Sequence, residues 1–171
     1  MQKHFLVVIV VVLGISSGLL YGSGILEPLI TVSADSAEQG WAQVAYNHVA
    51  DEYLVVWEDY RRTGDWSDSD IYGQFIGGDG VLKGVNVPVC STSSSQYWPV
   101  LAYDSRMDRY LIVFQDYRNG NDGDIYGLFF GSNGEVQPVD SSEADGAFPI
   151  SKNPGSVYIP AVSYNYNQIG R

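Results

Sequence analysis

The chain has 171 residues, 45% hydrophobic and 17% charged, which excludes a disordered, highly charged polypeptide. Lys and Arg total 9 against 20 Asp and Glu, a formal charge of −11 at pH 7, and a surface of that sign repels phosphate backbones and excludes nucleic acid as a partner. With 19 Gly and only 17% charged residues, the composition argues against long solvent-facing helices, and Tyr is enriched at 13 residues.

Residues 1–24 differ from the rest. Lys3 and His4 precede an apolar run from Phe5 to Leu13, and small residues follow at Gly14, Ser16, Ser17, Gly18, Gly22, Ser23 and Gly24. Basic, apolar and then small residues are the layout of a secretory signal peptide, with cleavage expected after Gly18 or Gly24. The segment is expected as an N-terminal hydrophobic helix ahead of the repeats; the alternatives to a signal peptide are an uncleaved membrane anchor, for which Phe5–Tyr21 sits at the lower limit of the about 17–25 residues that span a bilayer, and a buried helix of the fold. As signal peptide or anchor, it predicts a secreted or cell-surface location, with membrane contact only through an uncleaved leader. Cys90 is the sole cysteine, so an exported chain has no intrachain disulfide to rely on.

From Ile25 onward, over residues 25–171, the chain repeats itself. Gln39–Arg61 matches Gln96–Arg118 at an offset of 57, with 11 of 23 positions identical, Trp41, Tyr46, Asp51, Tyr53 and Arg61 among them. Asp70–Gly80 then matches Asp124–Gly134 at an offset of 54. The length difference falls in a polar stretch between these blocks, as it does in surface loops. Ile30–Ser33, Val87–Cys90 and Phe148–Ser151 occupy the same place ahead of each unit, and Tyr158–Asn165 restates Tyr97–Asp104 at an offset of 61. Units are therefore expected at about 30–86, 87–147 and 148–171, the third incomplete.

Each unit reads as four short strands. The Val87–Cys90 type of segment is expected first and Pro99–Tyr103 second, with a turn at Asp104–Asp108. The third strand, Tyr53–Glu58 or Tyr110–Gln115, is almost continuously apolar and so is expected to be covered on both faces. The fourth, Ile71–Ile76 or Ile125–Phe130, runs into a glycine turn at Gly77–Gly80 or Gly131–Gly134. Repeated four-stranded units covered on both sides predict an all-β fold of β-propeller blades, with Tyr53, Trp57, Tyr110 and Phe114 filling the layers between sheets. A β-sandwich is the competing fold.

The order P-x-x-x-Y-(N/D), Y-L-x-V-(W/F)-x-D-Y-R, D-I-Y-G resembles blades of secreted propellers related to TolB and WD40 repeats, over about Ile30 to Asn165. The resemblance implies a propeller fold. The chain departs from it at Asn47–Asp51 and Asp104–Asp108, where TolB-type blades have Ser-Pro-Asp-Gly. Two units and part of a third do not close a ring of about 4–8 blades. A longer reading frame is therefore expected, or failing that an assembly of several copies.

Candidate chemistry lies in the loops. Asp65, Asp68 and Asp70 in the first unit, and Asp122 and Asp124 in the second, supply the hard oxygen ligands that calcium prefers, so calcium is the one candidate cofactor. The competing role for Asp70 and Asp124 is bonding to nearby backbone amides. Arg61 and Arg118 would suit an acidic ligand, or would tie strand ends through Asp59 and Asp116. Trp66 has no counterpart in the second unit and is a candidate contact for a sugar ring or partner surface. Neither HExxH nor GxSxG occurs, and Cys90 aligns with Ser33 and Ser151 as a small buried residue. These features predict a non-catalytic extracellular scaffold that binds a protein, glycan or other surface ligand. The alternative is the N-terminal part of a propeller-containing glycosidase or peptidase whose catalytic residues lie outside this chain.

Overall fold

The computed structural model describes residues 30–64, 67–120, 122–152 and 160–164. The leader at 1–24, the candidates Asp65 and Trp66, and, in the third unit, residues 153–159 and 165–171 lie outside the described residues. Within them the fold is all-β. The strands are β1 (Gln39–Asn47), β2 (Glu52–Asp59), β3 (Asp70–Gly77), β4 (Leu82–Cys90), β5 (Gln96–Asp104), β6 (Arg109–Asp116), β7 (Asp124–Gly131) and β8 (Phe148–Ser151). They form two four-stranded antiparallel sheets in sequential order, β1-β2-β3-β4 and β5-β6-β7-β8. No helix among the described residues is long and apolar enough to cross a membrane.

Local chemistry explains the hairpins. Asn47 turns the chain after β1 by accepting the Val49 and Ala50 amides on Oδ1 at 2.9 and 3.0 Å. Asp51 and its counterpart Asp108 take the left-handed conformation, with φ of 49° and 50°, which Asp tolerates better than branched residues do. The β3–β4 turn and the turn after β7 need the same conformation at Gly80 and Gly134, with φ of 81° and 80°.

The sheets are offset from the sequence repeat by one strand. Val87–Cys90, expected to open the second unit, instead ends β4 and pairs with β3 through Ile71 with Cys90, Tyr72 with Pro88 and Gly73 with Val87. Phe148–Ser151 likewise closes the second sheet as β8 against β7. The reason is hydrogen bonding: the glycine turn returns the chain beside the free edge of β3, whose amides and carbonyls would otherwise lack strand partners. Ile30–Ser33 forms no named strand, and Val32 is buried against the outer face of the first sheet.

Strand alternation gives each sheet two different faces, and unlike faces meet. Leu54, Val56, Ile71 and Phe75 of the first sheet share one core with Tyr110, Ile112, Phe114, Tyr126, Leu128 and Phe130 of the second. The Phe75 ring lies 6.1 Å from Tyr110 and 6.2 Å from Phe130. By the repeat, Tyr110, Ile112 and Phe114 correspond to Tyr53, Val55 and Trp57, which lie on the opposite face of the first sheet. There Val55 and Trp57 form a separate cluster with Val32 and Ile76, and Tyr53 and Ile30 pack at its margin. The stacking is therefore head to tail. Tyr110 and Phe114 fill the layer between sheets as expected, while Tyr53 and Trp57 belong to the cluster on the outer face.

Polar contacts pin this stack. The Gln96 amide donates to the Ser69 carbonyl at 2.8 Å, and the Ser69 hydroxyl donates back to the Gln96 carbonyl. The Trp98 amide donates to Glu58 Oε1 at 2.6 Å.

Candidate functional site

Antiparallel order brings the β2–β3, β4–β5 and β6–β7 loops to one end of the sheets. Between them lies a groove of about 820 Å³, a size suited to a small ligand. Tyr97, Trp98 and Tyr117 supply its aromatic surface, and Thr63, Ser67, Asp68, Gly120 and the run Ser93–Ser95 supply polar lining.

A bulge places the aromatic residues. The β5–β6 register shifts between Tyr97 and Val100, and Trp98 sits there at φ 52°. The first sheet repeats the device, with a shift between Gly40 and Gln43 and Trp41 at φ 46°. Bulges of this kind re-aim side chains at the end of a strand, and left-handed backbone at a bulky residue persists only where its surroundings hold it. Here the restraint is visible: Glu58, fully buried, accepts the Trp98 amide on one oxygen and the Tyr60 hydroxyl on the other at 2.9 Å. Burial raises the Glu58 pKa above its ordinary value, and these two hydrogen bonds oppose the rise. A smaller hollow of about 130 Å³ adjoins on the Trp98 side, lined also by Trp41, Gln43, Pro99 and Val100.

Among the described residues lining the groove, the one carboxylate, Asp68, is paired. Asp68 accepts the Ser95 hydroxyl at 2.6 Å and pairs with Arg62 Nη1 at 2.7 Å. The same guanidinium pairs through Nε with the buried Asp70 at 3.1 Å and donates to the Ser94 carbonyl at 3.4 Å. Burial raises the Asp70 pKa, with Arg62 pulling against it.

Of the proposed calcium ligands, Asp68 and Asp70 come together, but around the guanidinium of Arg62. Asp124 accepts the Asn119 side-chain amide at 2.8 Å, and Asp122 is exposed. Among the described residues no group of three or more His, Cys, Asp and Glu is arranged to hold a metal ion.

Arg61 and Arg118 do not line the groove. Arg61 grips Asp59 with two bonds of 2.7 Å and stacks over Tyr72 at 4.0 Å from its ring centre. Arg118 pairs with Asp116 and Asp145, each at 2.8 Å, over the Tyr126 ring at 4.4 Å. These contacts tie strand ends within each sheet. Cys90 is buried beside Asp145, and burial raises its thiol pKa far above the ordinary value, so it is held as an unreactive thiol.

The aromatic residues of the groove and of the adjoining hollow were legible only in part. Trp98 of the groove and its repeat counterpart Trp41 of the hollow stand at identical repeat positions, so their recurrence was visible. Their left-handed backbone was not, because residue type alone does not mark a bulge at tryptophan.

No family model, curated protein or solved structure matches the chain.

Proposed function

We infer that the chain builds blades of a β-propeller exported to the cell surface or the medium, and that it serves as a non-catalytic binding scaffold. The observation that carries this reading is the head-to-tail packing of two repeated four-stranded meanders. A ring of blades needs that arrangement, since every sheet must offer one face forward and the other back. A two-layer sandwich has no such need. The binding role draws on the loop-end groove, where side chains from three loops converge on a rigid base. The exported location rests on the leader sequence.

The test is retention without turnover. The full chain, immobilised, is exposed to extracellular polysaccharide and surface-protein fractions, and new reducing ends and new amino termini are measured in the eluate. Retention of a component with neither product is the expected result. Release of either product by the purified chain would overturn the non-catalytic assignment.

A further inference from the structure

We propose that the groove between the β2–β3, β4–β5 and β6–β7 loops binds a neutral oligosaccharide against Tyr97, Trp98 and Tyr117. The inference rests on the binding-scaffold reading and names its ligand class. The Tyr97 ring stands edge-on to Tyr117, at 87° and 5.6 Å between centres, and tilts 45° from Trp98 at 6.1 Å. These rings present an apolar, angled wall. Short hydroxyl side chains at Ser93–Ser95 and Thr63 and the Asp68 carboxylate line the same groove, the Ser95 hydroxyl donating to that carboxylate at 2.6 Å and the Thr63 hydroxyl to the Asp68 carbonyl at 3.2 Å, which leaves both as acceptors. An apolar wall in one groove with small oxygen acceptors is the complement of a sugar, whose C–H faces stack on rings while its hydroxyls donate to such partners.

Charge decides between neutral and acidic sugars. The cation beside the groove, Arg62, already bridges Asp68 at 2.7 Å and Asp70 at 3.1 Å. A uronate or sulfate would have to displace those carboxylates, within a chain of formal charge −11. Geometry disfavours an extended peptide. The lining comes from loops and the start of edge strand β5, where the backbone amides of Gln96 and Trp98 are already taken by the Ser69 carbonyl and by Glu58 and so are closed to backbone pairing with a peptide.

The experiment titrates the full chain with cellohexaose, maltohexaose, mannohexaose and N-acetylchitohexaose, with oligogalacturonate and heparin hexasaccharide as acidic probes, and with an unstructured peptide. Binding is read by calorimetry and tryptophan fluorescence. At least one neutral probe is expected to bind, more tightly than either acidic probe or the peptide. Tyr117→Ala and Tyr97→Ala are expected to weaken it at least about tenfold. Tyr46→Ala, which removes an exposed tyrosine on the outer face of the first sheet, leaves binding unchanged. Ser94→Trp fills the groove without removing an aromatic wall, so it abolishes binding even if an alanine variant fails to fold. The proposal is overturned if no neutral probe binds, if the peptide or an acidic probe binds more tightly, or if Ser94→Trp binds as the parent does. Shortening of a bound hexasaccharide would overturn the non-catalytic reading and support the groove assignment. Retention of surface polymers by Ser94→Trp at the parental level would overturn the groove assignment and leave the scaffold reading standing.

Discussion

The two sheets are copies in sequence and differ in what covers them. Tyr46 and Tyr103 are equivalent, and each donates its hydroxyl to an aspartate five residues on, Asp51 or Asp108, at 2.8 Å. Yet Tyr46 is 45% exposed and Tyr103 only 7%, because the first sheet itself lies over Tyr103. Deeper in the face the difference becomes chemical. Gln74 of the first sheet, covered by the Val32 segment, donates to the Lys83 carbonyl at 2.8 Å and accepts from Asn86 at 2.8 Å, while Asn86 also donates to the Val32 carbonyl at 3.0 Å. Its counterpart, Leu128, lies in the apolar core between sheets. A face covered by irregular backbone must satisfy that backbone's polar groups, whereas a face covered by side chains need not. The repeat therefore specifies the strand, and the neighbour dictates its polarity.

Exchanging these residues should break the comparison most sharply. Leu128→Gln places an amide among aromatic rings and is expected to cost about 3–5 kcal/mol, from lost apolar burial and an unpaired amide. The reverse change, Gln74→Leu, loses hydrogen bonds on the first sheet and should cost about 1 kcal/mol. Urea unfolding of both variants checks the asymmetry. Equal losses would mean that the two faces are chemically alike.

Asp108 and Asp51 sharpen the same contrast at the turns. Asp108 accepts the Ser132 hydroxyl at 2.7 Å and the Asn47 side-chain amide of the first sheet at 3.5 Å, besides Tyr103. The Ser132 and Tyr103 hydrogen bonds hold its carboxyl below the usual value. Because the folded pKa is depressed, the stabilisation is present above the unfolded value of about 3.9 and is lost as pH falls through the folded pKa. Asp108→Asn keeps a residue that tolerates left-handed backbone and should flatten the acid side of the stability curve. Thermal unfolding at stepped pH measures the change; Asp51 shares the tyrosine contact, from Tyr46 at 2.8 Å.

Glu58 and Gln115 are also equivalent, and both are fully buried. Burial raises the folded pKa of Glu58, so its protonated form favours folding. That contribution is complete below the unfolded value and disappears as pH rises through the folded pKa. Glu58→Gln gives the first sheet the residue of the second and still offers an oxygen to the Trp98 amide. Its stability should lie within about 1 kcal/mol of the parent and fall less between acid and neutral pH. A steeper fall would contradict the assigned sign.

The smallest effect is expected from calcium. Arg62 already neutralises Asp68 and Asp70, so calcium added to chelator-treated protein should leave the melting temperature unchanged. An increase on titration would restore the acidic loops as a metal site.

Much of this architecture was legible in the residues. The recurrence of Tyr-Leu-x-Val ahead of Asp-Tyr-Arg located β2 and β6, and the paired glycine turns located the ends of β3 and β7. The candidate site was less so. Arg61 and Arg118 suited a ligand or strand-end pairing, with recurrence in both units favouring the pairing, and their distances to Asp59, Asp116 and Asp145 place them in pairs. Tyr117 was visible only as the middle of the recurring Asp-Tyr-Arg, and Tyr97 and Ser94 gave no signal, since a groove between loops depends on three segments distant along the chain.

By itself, the amino-acid order determined the number and direction of strands in each repeat, because alternation, β-branching and glycine turns act over a few neighbouring residues. Tertiary structure alone decided that Val87–Cys90 completes the preceding sheet, that unlike faces meet, and that the buried Glu58 accepts the Trp98 amide. Those outcomes depend on which backbone edge and which buried carboxylate lie within hydrogen-bonding reach, and that is settled only when the sheets pack.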